Sequence, residues 1–342
     1  MSVLYTASTA AELGGSMQAF ASRTAEVSTA YEDGSGTFVG FDPDFASEAA
    51  GVQHSAPTAF IINTAEPTGD YWFHARLSPP RFVAHSDADG YWWTFYDAAG
   101  LDIARLEVSD GSLHANAIGD TSVVSAGTFS LAEYLPVMVD IRIAVGADIV
   151  VDLYVSGTLV GTATAANTGS KGKPVRMSAD HFDIVSSGSS TGTSWVFYSE
   201  VLILDGESTV GLRLASQAPN TQGNSNDMTG DPSHLMDAGD GLTVSSDTAG
   251  HKEGWTLSGY NGPVSPTSIR AVVTKTKTNK GLTGPQNIRH FLRIGTTDYD
   301  NGADLGPSQE GEMHVWDNNP ATASPWTTSD LSGLEQGVEV KA

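Results

Sequence analysis

The sequence predicts an all-β protein, a β-sandwich followed by a second, smaller β-domain. Three observations carry this reading. Short runs that alternate apolar and polar residues recur along the chain with turn residues between them. From Thr58 onward they come at the even spacing of a sandwich. No stretch shows the pattern of a long amphipathic helix.

Residues 1–57 are rich in Ser, Thr, Ala and Gly, with strand-like pieces such as 37–41. Residues 11–17 suit a helical turn or two, which Gly14 and Gly15 cut short. Strands are then expected at 59–63, 71–77, 91–97, 101–108 and 112–118. The most regular stretch follows. Val137, Val139, Ile141, Ile143 and Val145 share one face of a strand, and Met138, Asp140, Arg142 and Ala144 share the other. A second run places Ile149, Val151, Leu153 and Val155 on one face. Paired residues share a face, so a two-residue loop at Gly146 and Ala147 would set Ile141 against Asp152. A loop of about three residues, or a bulge, keeps the apolar faces together. At Ser156 and Gly157, a two-residue turn pairs Leu153 with Val160 and a three-residue turn pairs it with Gly161. The face with Arg142 is expected to be solvated. Further strands are expected at 181–186 and 194–204.

The expected division is a sandwich at 1–205, a loop-rich connector at 206–250 and a second β-domain at 251–342. The last has strand-like runs at 253–258, 268–275, 287–295, 312–316 and 338–341.

The strand, short turn and Val151-Asp-Leu-Tyr-Val-Ser-Gly-Thr-Leu-Val160 run resembles the central hairpin of concanavalin A-like and laminin-G-like jelly rolls, with Ser156 where Asp is common. Beyond it, residues 201–206 lead into Val210-Gly-Leu-Arg-Leu214, then Val244-Ser-Ser-Asp-Thr-Ala-Gly-His-Lys252, Ile269-Arg-Ala-Val-Val273, the 289–300 run and Pro320-Ala-Thr-Ala-Ser-Pro-Trp326. This order resembles virion structural proteins of tailed bacteriophages with a laminin-G-like front half, over roughly residues 30–342. The resemblance implies a tail fibre, spike or capsid decoration. It implies other virion proteins and sister copies as partners, with host surface polysaccharide as a further candidate. The chain would then be made in the host cytoplasm and end in the virion.

Charge and composition narrow the classes. Lys and Arg number 17 and Asp and Glu 40, a net charge of −23. Such a chain repels nucleic acid and anionic membrane, so neither is expected as a partner. Cysteine is absent, which removes disulfides, thiolate chemistry and Cys-ligated zinc. Residues 1–15 show neither the basic n-region nor the apolar h-region of a signal peptide. No run of about 18 apolar residues reads as a membrane span.

Four constellations are candidates for chemistry. Trp72, His74 and Arg76 alternate with Tyr71 and Phe73, and Trp92 and Tyr96 alternate with Trp93 and Phe95. With the Phe faces inward, these five form an outer aromatic patch able to stack on sugar or seat an interface. Asp298, Asp300 and Asp304 surround Gly302 at a spacing that suits Ca²⁺, without the twelfth-position Glu of an EF-hand. Asp87 and Asp89 are a weaker version. No other cofactor is expected. Arg270, Lys275, Lys277 and Lys280, with Arg289 and Arg293, form a basic island that could dock an acidic neighbour. Glu200, Asp205 and Glu207 lack the carboxylate spacing of concanavalin A-like hydrolases, and a regular strand would point Glu200 and Asp205 to opposite faces. A non-enzymatic chain is therefore expected. The alternative is a protein of this fold that binds or cleaves glycan.

Overall fold

The computed structural model describes residues 2–7, 25–28, 30–32, 38–40, 49–53, 58–78, 88–132, 137–180, 182–184, 195–215, 217, 219–230, 244–259, 268–276, 278, 280, 284–306 and 312–342. These divide into two compact units, Ser2–Leu214 and Ala215–Ala342. The expected helical turn at 11–17 lies outside the described residues.

The first unit is a sandwich of two antiparallel sheets, as the alternation requires. One sheet runs Thr158–Ala166, Asp148–Val155, Val137–Val145, Tyr71–Ser78, Trp195–Asp205, Ala49–Gln53, Ala25–Ser28, with Val3–Ala7 also on Trp195–Asp205. We call it the first sheet. The second sheet runs Val123–Ser125, Ser112–Ile118, Asp102–Ser109, Ala88–Tyr96, Arg176–Asp180, Thr58–Asn63. Its core lies between them. Tyr71, Phe73, Val139, Ile141, Val151 and Leu153 from the first sheet meet Trp93, Phe95, Leu106 and Leu113 from the second, all essentially unexposed. Phe73 reaches across to Trp93 at 4.6 Å and to Phe95 at 5.4 Å between ring centroids, both edge-on. Such edge-to-face pairs add to the burial energy of large rings.

The central hairpin obeys the parity argument. Gly146–Asp148 is a three-residue loop, so Ile141 pairs with Leu153 and Ile143 with Val151. The next turn combines both alternatives. Ser156 and Gly157 take φ of 48° and 82°, a two-residue primed turn that matches strand twist. A register shift then follows at Leu153/Tyr154, and Leu153 pairs with Gly161. Val160 is the extra residue of the bulge.

The second unit holds a five-stranded sheet, Pro219–Asn226, Lys252–Leu257, Glu335–Lys341, Asn287–Ile294, Thr297–Asp300, and a two-stranded ribbon of Val272–Thr276 with Glu312–Trp316. The break falls within the expected span, yet 206–250 is not simply a connector. Pro219–Asn226 is the edge strand of the second unit, paired with Lys252–Leu257. Its polar composition disguised it, because an edge strand needs few apolar residues. His290 ties the sheet to the ribbon. Its Nδ1 lies 3.1 Å from Thr274 Oγ1 and its Nε2 2.7 Å from Thr276 Oγ1. Trp316 donates its indole N–H to the same Thr274 oxygen.

Candidate functional site

The outer face of the first sheet carries most of the buried charge of the sandwich unit. Its residues are the alternate positions of the core strands. In register across the sheet stand Leu202, His74, Asp140 and Tyr154 in one row and Leu204, Trp72, Arg142, Asp152 and Thr162 in the next. His74 and Asp140 are each 1% exposed, and His74 Nδ1 lies 2.8 Å from Asp140 Oδ1. Nδ1–H therefore donates to the carboxylate, which leaves Nε2 as the ring's second polar atom. Nε2 is buried and has no hydrogen-bond partner among the described residues.

Arg142 is clamped between two carboxylates. Its Nε donates to Asp70 Oδ2 and its Nη1 to Asp152 Oδ2, both at 2.8 Å. Thr162 Oγ1 donates to the other Asp152 oxygen at 2.6 Å. The bond to Asp152 first, and then that to Asp70, raise the Arg142 pKa against the opposing effect of burial. The face expected to be solvated is thus an ion-paired network.

Behind it lies a strained acid. Glu200 is fully buried with φ of 55°, at a register shift between Ser199 and Leu202. It accepts from Arg213 Nε at 2.8 Å and Nη2 at 2.9 Å, and from the Leu214 amide. A left-handed glutamate is costly and persists only when its surroundings over-determine it. Burial draws the Arg76 guanidinium below its ordinary pKa, while the Glu200 charge opposes that shift. Exposure increases away from this corner. Tyr154, Met138 and Arg142 are half-buried and Thr162 is exposed.

The expected aromatic patch does not form. Trp72, His74 and Arg76 lie on the first sheet, whereas Trp92 and Tyr96 lie on the second. Outer faces of the two layers of a sandwich point in opposite directions, so the five cannot share one surface. Trp92 is moreover fully buried in the core, because a register shift between Tyr91 and Trp93 breaks the alternation. Trp72 is 8% exposed and packs on Tyr154 at 5.9 Å. Tyr96 is half-buried under the Arg176 guanidinium, 4.4 Å from the ring centroid.

The Asp298, Asp300 and Asp304 set does not converge on one point either. Asp298 pairs with Arg293 at 2.7 Å and with Lys252 at 3.1 Å. Asp304 pairs with Arg289 at 2.7 Å, and Asp300 lies 3.6 Å from the same guanidinium. These cations take the carboxylates that Ca²⁺ would need. Among the described residues no three His, Asp or Glu side chains gather as a metal group. Asp87 lies outside the described residues. The same pairs neutralise Arg289 and Arg293 within the basic island. Arg270 and Lys280 are exposed and Lys275 is half-buried, while Lys277 lies outside the described residues.

Sequence reasoning missed Asp140, Asp152 and Tyr154 as members of the site. Their signal was present: charged residues recur on the non-apolar face of otherwise aliphatic strands. Asp205, weighed as a carboxylate of catalytic type, instead caps the turn before Tyr71. It accepts from the Thr68 amide and hydroxyl and from the Gly69 amide.

No protein-family model matches the chain, and no curated protein matches it. Solved structures of similar architecture exist. An endo-β-1,4-glucuronan lyase from the fungus Trichoderma reesei aligns with a TM-score of 0.43 and 10% identity, over 59% of this chain and 94% of its own. A β-glucanase catalytic domain from Podospora anserina aligns with a TM-score of 0.34 and 12% identity, over 58% of this chain and 92% of its own. An alginate lyase of polysaccharide lyase family 7 aligns with a TM-score of 0.33 and 13% identity, over 51% of this chain and 83% of its own. The expectation of a non-enzymatic chain does not stand: polysaccharide lyases and a glucanase are among the solved structures that align with it. At these identities the likeness reaches the fold and assigns no activity. No helix among the described residues is long and apolar enough to cross a membrane.

Proposed function

We propose that the sandwich unit handles glycan chains on the outer face of its first sheet. The observation that carries this is the Trp72–Tyr154 ring pair beside the Asp70–Arg142–Asp152 network, in register with the His74–Asp140 dyad. A sugar ring offers apolar C–H faces and hydroxyls at its rim. An aromatic side chain meets the first, and charged groups held in fixed geometry meet the second. Tyr154 and Arg142 are the half-open members, so binding is the property they supply.

The test is a panel of neutral and anionic polysaccharides offered to the full chain. Binding is expected to at least one member. Tyr154→Ala is expected to weaken it about tenfold, roughly 1.4 kcal/mol, with little change in thermal midpoint. Binding that survives Tyr154→Ala unchanged contradicts this face as the site. Assays of the same panel for new reducing ends and unsaturated products test turnover.

We also propose a place on a tailed-phage particle, among other virion proteins and sister copies. The motif order from residue 201 to residue 326 supports it, and electron microscopy of particles with this chain labelled tests it.

A further inference from the structure

The loop from Asn167 to Lys173 crosses one end of the sandwich. It leaves Thr158–Ala166 in the first sheet and enters Arg176–Asp180 in the second. It carries two lysines, and each ammonium is held by three main-chain carbonyls. Lys171 Nζ donates to Asp102 O and Ile118 O at 2.8 Å and to Gly119 O at 3.1 Å. Those carbonyls belong to the ends of two strands of the second sheet. Lys173 Nζ donates to Pro67 O at 3.1 Å, to Gly69 O at 3.0 Å and to Thr68 O. That segment leads into Tyr71–Ser78 of the first sheet. One lysine thus grips each layer.

The Lys173 cradle has the chemistry of a hard-cation site. Three consecutive carbonyls turn toward one point. The amides of Thr68 and Gly69 turn the other way, to the Asp205 carboxylate at 2.9 and 2.6 Å. The peptide dipoles of this segment are therefore aligned between an anion and a cation. An ammonium has three N–H donors, and three carbonyls use all of them. The cradle is also rigid: a Cβ on Gly69 would lie 2.7 Å from Gly206 Cα, so the backbones are already in contact. The Lys171 side repeats the plan. Asp120 beside it accepts from the Thr168 amide and hydroxyl at 2.6 Å, and from the Ser170 hydroxyl.

We propose that Lys171 and Lys173 are tethered cations that clamp the two sheets. We propose further that the carbonyl cradle of Lys173 is a latent site for a divalent hard cation such as Ca²⁺, open once the ammonium is gone. Ca²⁺ takes oxygen ligands alone, and the three carbonyls supply a preformed set that water would complete.

The experiment uses the full chain and two variants, Lys173→Ala and Lys173→Met, the second keeping most of the apolar stem. In chelator both are expected to melt about 5 °C or more below the parent, since a charged group's hydrogen bonds are lost at a tight strand end. Added Ca²⁺ is expected to restore most of that loss in Lys173→Ala, and calorimetry should show one Ca²⁺ more per chain than the parent binds. A variant that must be refolded is expected to recover in Ca²⁺ and not in chelator. An unchanged melting temperature in both variants overturns the clamp. A fall that Ca²⁺ neither reverses nor accompanies with binding, or failure to refold in Ca²⁺, overturns the latent site.

Discussion

Ile141→Asp is expected to lower the stability of the Ser2–Leu214 unit by more than about 4 kcal/mol, enough to leave it largely unfolded. Ile141 is 1% exposed and sits between Phe73 and Leu153 in the register of the first sheet. The substitution removes an aliphatic side chain worth about 2 kcal/mol of burial. It also places a carboxylate where the neighbouring side chains offer it no donor. Arg142→Asp is the instructive contrast. On a solvated face it would be mild. Here it sets a third carboxylate against Asp70 and Asp152, so a clear loss is expected as well, smaller than that of Ile141→Asp. Denaturant melts of the full chain read by tryptophan fluorescence decide the order. A stable Ile141→Asp chain would mean the inner face is misassigned.

His290 is expected to make the second unit acid-sensitive by about 3 kcal/mol. Its ring is fully buried and both nitrogens face threonine hydroxyls. Burial first, and the charge of His314 second, push its pKa from an ordinary 6.5 to about 4. His314 is itself lowered by burial, with Asp317 opposing. The unfolded ring takes up its proton near 6.5 and the folded ring near 4, so between these values the unfolded chain binds more protons. Stability is then full above about pH 6.5 and is lost as pH falls toward 4. The difference between parent and His290→Gln isolates this ring from every other pH-dependent contribution. The parent should lose about 3 kcal/mol more than His290→Gln between pH 7 and pH 4. Parallel losses in the two would show that His290 does not carry the effect.

Much of this fold was legible because sandwich strands announce themselves by period two. The faultless alternation of 137–145 settled both the inner face and the length of the Gly146–Asp148 loop. Legibility failed where a bulge broke the period. Trp92 was assigned outward by simple parity, yet a register shift buries it in the core. Glu200 was judged by a regular strand, yet it sits at another shift with a positive φ. Distance along the chain hid the rest. His74 and Asp140 are 66 residues apart, and only strand order makes them neighbours. No local motif announces such a pair. The acidic 298–304 run misled for the opposite reason: its spacing suits a cation, but Arg289, Arg293 and Lys252 from other strands of the same sheet take that place.

The central claim is that glycan is handled on the outer face of the first sheet. Hydrogen exchange on the full chain tests it most directly, with and without an oligosaccharide of the polysaccharide that binds. The account predicts added protection in Val137–Val145, Asp148–Val155 and Thr158–Ala166, the strands that carry Arg142, Tyr154 and Thr162. Protection confined to the second sheet, or to residues 215–342, would contradict it.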